Sequence, residues 1–138
     1  MTNPLARFPV TADQIDWVME VFYARIRVHP ELGPVFAAHI GETDAEWADH
    51  IDKIGRFWRN AILRDPVYSG NPMMVHMAAR DVKVPHFGPW LEMFEQVVRR
   101  ELPEASADAW IELAHRIARG FKMQLSERDN QGGVPMLG

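Results

Sequence analysis

The feature that most constrains the fold of this chain is the helical spacing of its apolar residues. In most segments they recur three and four positions apart, and no window alternates apolar and polar residues as a half-buried strand does. The clearest stripe is made by Ile15, Val18, Met19, Phe22 and Ile26. The pattern predicts one all-α domain of five or six helices of unequal length.

Capping residues and prolines indicate where these helices begin and end. Thr11 with Gln14, and Thr43 with Glu46, have the spacing of a capping box, in which the two side chains satisfy free amides of the first helical turn. Pro30 ends the first helix near His29, because the residue before a proline avoids the helical region. The predicted helices cover about 11–29, 43–64, 72–79, 87–102 and 104–125, and a short turn at 32–40, which Gly41 ends, brings Phe36 inward.

The composition fits one globular domain and excludes several kinds of site. Of the 138 residues, 47% are hydrophobic and 25% are charged, and there is no cysteine, which excludes disulfides, thiolate metal sites and cysteine nucleophiles. The net charge is −4 with no long basic run, so nucleic acid is not an expected partner. We predict a single domain over 1–138, with an N-terminal extension at 1–10 and a disordered tail at 128–138.

The first residues and the apolar runs of the chain do not predict association with a membrane. The first seven residues lack the apolar region of a signal peptide, and no apolar run is long enough to span a bilayer. We therefore expect a cytoplasmic protein without a membrane partner. Common catalytic motifs are also missing, including G-x-S-x-G, the phosphate-binding loop and a paired-histidine zinc motif, so the sequence predicts no catalytic residue.

Two histidines on separate predicted helices carry most of the functional information. His50 shares a helical stripe with Ile54, Phe57 and Ala61, and His76 ends a short Met-rich segment that also contains Met73. An apolar slot with an imidazole on each wall would suit an iron porphyrin, with Met73 along its face. From these residues alone, an ordinary surface or core histidine is the favoured interpretation of His76. His50 is equally a half-buried residue at a solvent edge.

Three aromatic residues are open to the same two interpretations. Three different predicted segments contain these residues, which are Tyr23, Trp90 and Phe36. In most helical proteins they would be ordinary core residues. Inside an apolar pocket, however, the Tyr23 hydroxyl and the Trp90 indole N–H would each require a hydrogen-bond partner.

A series of short motifs resembles the bacterial truncated haemoglobins of the third group. The similarity runs in order from Phe22 to Phe94 and covers most of the predicted domain. Its members are Phe22-Tyr23, Leu32-Gly33-Pro34-Val35-Phe36, Glu46-Trp47-Ala48-Asp49-His50, Ile54-Gly55-Arg56-Phe57-Trp58, Tyr68-Ser69-Gly70-Asn71-Pro72 with His76, and Trp90-Leu91-Glu92-Met93-Phe94.

The resemblance implies a truncated globin-like two-over-two helical sandwich around haem b. It makes His76 the proximal ligand of a pentacoordinate iron, and Tyr23 and Trp90 the hydrogen-bond donors on the distal side. His50 becomes a distal-helix histidine that can act as a gate. The positions that map to the pocket walls are Phe36, Ile54, Phe57 and Trp58.

This family implies a haem protein that binds O2 and other diatomic ligands such as NO and CO. The alternative is a haem enzyme with peroxidase-like or nitric oxide dioxygenase activity, which would take peroxide or NO as substrate and electrons from a separate reductase. A haem-free helical interaction module is a third possibility. We expect a monomer or weak dimer, and candidate partners for the haem propionates are Tyr68, Arg80 and Lys83.

Overall fold

The computed structural model of the chain describes residues 6–127 except 67–82, and the backbone of residues 128–133. The described residues form α-helices and one short 3-10 turn at Val84–His86, with no strand among them, as predicted. The predicted short helix at 72–79 lies outside the described residues. The helices are α1 (Ala12–Val28), α2 (Leu32–Ile40), α3 (Asp44–Leu63), α4 (Phe87–Glu101) and α5 (Glu104–Gly133).

Helix α1 occupies the centre of the described fold. It packs against α2, α3 and α4, and α4 packs in turn against α5. The apolar stripe that predicted α1 is buried along its full length, from Ile15 to Ile26. A helix covered by three neighbours buries a broad apolar face, and this burial is the main stabilising contribution to such a fold.

Both predicted capping boxes are confirmed. The Thr11 hydroxyl accepts from the amide of Gln14, whose side chain accepts from the Thr11 amide. The Thr43 and Glu46 side chains make the same reciprocal pair at the start of α3. Each box satisfies amides that the first helical turn leaves free, so the two helices begin at fixed residues.

The corner between α1 and α2 is held by His29. Its Nδ1 accepts from the backbone amides of Glu31 and Leu32, at 3.0 Å each, and its carbonyl accepts from the amide of Gly33 at 2.9 Å. A Cβ on Gly33 would lie 2.7 Å from the carbonyl oxygen of Arg27, so only glycine permits this approach of α2 to α1.

An ion pair and a second glycine bring α3 onto α1. Arg59 donates through Nη1 to both carboxylate oxygens of Asp16, at 2.7 Å each. A Cβ on Gly55 would come within 3.0 Å of the same carboxylate. The Arg59 side chain is largely covered, so solvent screens this pair less than it screens a surface ion pair.

The loop between α2 and α3 is fixed by contacts to both helices. Gly41 ends α2 with a φ of 121°, a left-handed value that favours glycine. The Trp47 indole donates to the Gly41 carbonyl at 2.9 Å. Arg27 lies over the Trp47 ring, 5.1 Å from its centroid, and donates to Asp44 at 2.8 Å. These contacts determine where α3 starts relative to α1.

Both ends of the described chain contact or extend the helical core. In the predicted N-terminal extension, the Arg7 amide donates to the Ile62 carbonyl at 2.8 Å, and the Ser106 hydroxyl donates to the Pro9 carbonyl. At the other end α5 continues through Gly133, so the expectation that this helix stops near Leu125 is wrong. The disordered tail at 128–138 stays a prediction.

A physical reason for the longer α5 is available from the sequence. Leu125 is fully buried and anchors the helix where it was expected to stop. Of the six residues that follow, Glu127, Arg128 and Gln131 are good helix formers, and neither proline nor glycine occurs before the pair at 132–133. Separately, none of the helices in the described ranges is both long and apolar enough to cross a membrane.

The α3 capping box predicts a dependence of stability on pH. Hydrogen bonds from the Thr43 side chain and backbone lower the pKa of Glu46 below its ordinary value of 4.5. The ionised carboxylate therefore stabilises the fold fully above pH 4.5, and this contribution is lost as the pH falls through the lowered pKa. We expect Glu46→Gln to reduce the loss of stability between neutral and acidic pH.

The measurement is the free energy of unfolding by urea at a series of pH values. Glu42→Gln is the matched control, because it removes a carboxylate from the same loop and leaves the capping box intact. Equal pH dependence in the Glu46→Gln variant and the unsubstituted protein would contradict the prediction.

Candidate functional site

A hydrogen-bonded tyrosine and tryptophan lie where α1 and α4 meet. Tyr23 follows Phe22 in the buried stripe of α1, and its side chain is almost completely covered. Its hydroxyl oxygen accepts a hydrogen bond from the indole of Trp90, which lies in the first turn of α4. The structure thus brings together two of the predicted site residues from positions 67 apart in the sequence.

Burial governs the protonation of this tyrosine. Desolvation raises the pKa of the Tyr23 hydroxyl well above its ordinary value of 10.0, and the Trp90 hydrogen bond opposes this rise without cancelling it. The hydroxyl is therefore protonated throughout the physiological pH range. Since its oxygen accepts from the indole, its own proton is available to donate to another acceptor.

His50 and Phe36 complete the described part of the site. The imidazole of His50 lies edge-on to the Tyr23 ring, with centroids 5.1 Å apart and planes inclined by 78°, and its Nε2 atom is buried. The Phe36 ring lies 6.2 Å from the Tyr23 ring on the side of α2. Four helices therefore each contribute one side chain to a cluster centred on Tyr23.

The remaining predicted wall residues divide into two groups. Ile54 and Phe57 follow His50 on α3 and are partly buried. Trp58 instead packs in the core, stacked on Phe94 with ring centroids 6.0 Å apart.

Lys83, a candidate propionate partner, is exposed immediately before the 3-10 turn. The other predicted residues lie outside the described residues: Tyr68, Met73, His76 and Arg80.

Two phenylalanines in this cluster were not predicted as site residues. Phe22 stands edge-on both to Tyr23, at 5.0 Å, and to Trp90, at 5.1 Å. Phe94 stacks on Trp90, with centroids 5.4 Å apart and planes inclined by 6°. The sequence does hold a signal for Phe94, because a residue four positions after Trp90 on a helix lies on the same face.

The other histidines have local roles in the described structure. His29 caps the start of α2, as described above. His86 accepts the backbone amide of Lys83 through Nδ1 at 2.9 Å, and the Nε2 atom of His115 lies 3.5 Å from a carboxylate oxygen of Glu95. Each of these three histidines therefore has a local contact outside the cluster around Tyr23.

Comparisons with known proteins identify the family. No family model matches the chain. A group 3 truncated hemoglobin from Campylobacter jejuni is 32% identical over 116 residues, covering 84% of this chain and 91% of that protein. The crystal structure of a group III truncated hemoglobin from Campylobacter jejuni superposes with a TM-score of 0.82 at 30% identity, covering 88% of this chain and 95% of that one. The chain therefore belongs to the group III truncated haemoglobins and has their fold.

Proposed function

We propose that this protein binds haem b and holds diatomic ligands, chiefly O2, at a pentacoordinate iron, with Tyr23 and Trp90 as the residues that hydrogen-bond the ligand. Membership of a haemoglobin family supports haem as the cofactor. The observation that carries the rest is the hydrogen-bonded Tyr23–Trp90 pair. The Tyr23 side chain is almost completely buried, Trp90 is partly buried, and the ring of Phe22 packs against both.

The described side chains fit such a cofactor. A porphyrin is a large, flat and mostly apolar group, so its pocket requires apolar walls with a few polar groups aimed at the metal. Phe36, Ile54 and Phe57 are apolar, only partly buried, and belong to the helices that carry His50 or lie beside Tyr23. The hydroxyl and indole supply the polar groups.

The proposed chemistry divides between the cofactor and the chain. A haem iron with one free coordination position supplies the site at which O2, NO or CO binds. In this structure Trp90 donates to the Tyr23 oxygen. With a ligand in the pocket, the Tyr23 hydroxyl and the Trp90 indole would each donate a hydrogen bond to the ligand, and these two donors would favour O2, the better hydrogen-bond acceptor, over CO. Exclusion of water by the surrounding rings strengthens each of these hydrogen bonds.

Two histidines have proposed roles on opposite sides of the cofactor. His76, assisted by the apolar contact of Met73, is the ligand that holds the iron. His50 lies against Tyr23, so its movement away from that ring would open a path to the ligand site, as a gate. We also propose that 1–138 act as one globin domain. The comparisons do not favour a peroxidase-like or NO-converting enzyme over this ligand-binding function.

Replacing either polar residue should speed the release of O2. A hydrogen bond to a group that carries charge contributes roughly 1.5–3 kcal/mol, so losing one raises a dissociation rate by about one to two decades. We expect Tyr23→Phe and Trp90→Phe each to accelerate O2 dissociation by about that factor, measured by stopped flow with CO replacement. The dissociation of CO should change much less.

The control for this experiment is Trp17→Phe. Trp17 is 54% exposed, and its indole donates to Glu101 on the surface, away from the proposed site. Its replacement should leave the O2 dissociation rate unchanged. Unaltered O2 release in both the Tyr23→Phe and Trp90→Phe variants would reject the proposed roles of these residues.

Removing the proposed iron ligand should release the cofactor. We expect His76→Ala to lose haem readily to an acceptor such as an apomyoglobin variant, because the coordinate bond is the strongest single contact to the metal. The measurement is the rate of haem transfer, followed by absorbance. His39→Ala, which alters an exposed histidine on α2, should behave as the unsubstituted protein does. Tight haem retention with an unchanged spectrum in His76→Ala would assign the ligand elsewhere.

A further inference from the structure

We propose that Phe94 is a positioning residue for the ligand site: it holds the plane of the Trp90 indole so that the N–H points at the Tyr23 oxygen. This inference rests on the proposed function where ligand release is concerned. Among the described residues, Phe94 stacks directly on Trp90 and has no ring contact with Tyr23, although Phe22 contacts both Phe94 and Tyr23.

Phe94 is the most constrained ring of the aromatic core. Its side chain is fully buried. The Trp58 ring lies nearly parallel to it, at 6.0 Å and 19°, and the Phe22 and Trp110 rings stand nearly perpendicular, at 5.5 Å and 5.4 Å. These three neighbours belong to α3, α1 and α5, so three other helices hold the ring.

Trp90 is held much less firmly by its own surroundings. Its side chain is only partly buried, and it lies in the first turn of α4. Its ring contacts are the parallel stack on Phe94, at 5.4 Å and 6°, and the perpendicular contact with Phe22, at 5.1 Å and 85°. One parallel and one perpendicular neighbour together fix the orientation of a flat ring.

The orientation of this indole matters because its polar edge is directional. The Nε1 atom is its only donor, and a hydrogen bond weakens steeply once the donor tilts away from the acceptor. A leucine at position 94 keeps an apolar contact but presents no flat face. The indole would then rotate, and the Tyr23 hydroxyl would lose the partner that orients it. We expect the Trp90 to Tyr23 hydrogen bond to weaken in Phe94→Leu without any change to either residue.

The direct test follows the exchange of indole N–H groups with deuterium by NMR in the CO-bound protein. The five tryptophans give separate indole signals, and the Trp90 signal is the one lost in Trp90→Phe. In Phe94→Leu we expect the Trp90 N–H to exchange about three- to tenfold faster, the range for weakening one neutral hydrogen bond. The O2 dissociation rate should rise by a similar factor.

The Trp47 indole is an internal reference in the same spectrum. It donates to the Gly41 carbonyl at 2.9 Å near the start of α3, eleven positions before Trp58, the α3 residue that Phe94 contacts. A purely structural role for Phe94 would accelerate both exchange rates together, because both would then follow the global loss of stability. A positioning role accelerates Trp90 relative to Trp47. Only the second result supports the proposal.

Two further variants separate positioning from loss of packing. Val97→Ala also removes buried apolar atoms from α4, and it should lower stability while leaving the ratio of Trp90 to Trp47 exchange unchanged. If Phe94→Leu fails to fold, Phe94→Met replaces it, because methionine adapts to irregular cavities and also lacks a flat ring. An unchanged exchange ratio in the folded variant overturns the proposal.

The outcomes for this inference and for the proposed function are distinguishable. If Trp90→Phe leaves O2 release unchanged, the ligand role of Trp90 fails, and the exchange ratio in Phe94→Leu still decides whether Phe94 positions the indole. If Trp90→Phe speeds O2 release but Phe94→Leu alters neither the exchange ratio nor the release rate, the ligand role stands and the positioning role is rejected.

Discussion

The burial of α1 on three sides is the constraint on which the rest of the structure depends. Because α2, α3 and α4 all pack on this helix, each is positioned relative to one common element. Phe36, His50 and Trp90 therefore approach Tyr23 from three directions. A single polar hydroxyl remains in this covered region, and desolvation keeps it protonated.

The site combines a rigid apolar frame with very few polar groups. An unpaired hydroxyl at the Tyr23 position would be unfavourable, and the Trp90 indole removes that penalty by donating to its oxygen. Because the oxygen accepts this hydrogen bond, the hydroxyl proton is available to donate to another acceptor. Aromatic rings such as Phe22 surround both groups, so the polarity of the pocket is confined to one hydrogen-bonded pair.

Much of this fold follows from local signals that can be read from the sequence. The stripe of α1, the capping boxes at Thr11 and Thr43, and the stop at Gly41 each depend on residues within a few positions, and each was predicted at the position where it occurs. The end of α5 was predicted too early, because no apolar residue between Leu125 and the glycine pair at 132–133 continues the stripe, and the helix extends without it.

The site itself could be predicted only in part. Neither periodicity nor spacing could predict the contact between Tyr23 and Trp90, because that contact depends on how α4 packs on α1. The family resemblance suggested that the two residues share a pocket. The tie of Asp16 to Arg59, and the placement of Trp58 against Phe94, are likewise products of tertiary packing. The proposed iron ligand, His76, lies between residues 67 and 82, outside the described residues, so its role remains a prediction from the sequence.

The corner at His29 has a consequence for the shape of the crevice. A turn between helices commonly behaves as a hinge, but here one side chain accepts two amides of the following segment while Gly33 allows the backbones to touch. The helix that bears Phe36 is therefore fastened directly to the helix that bears Tyr23. The 6.2 Å spacing of these two rings is set when the chain folds, and changing it at this corner would require the bonds to His29 to break.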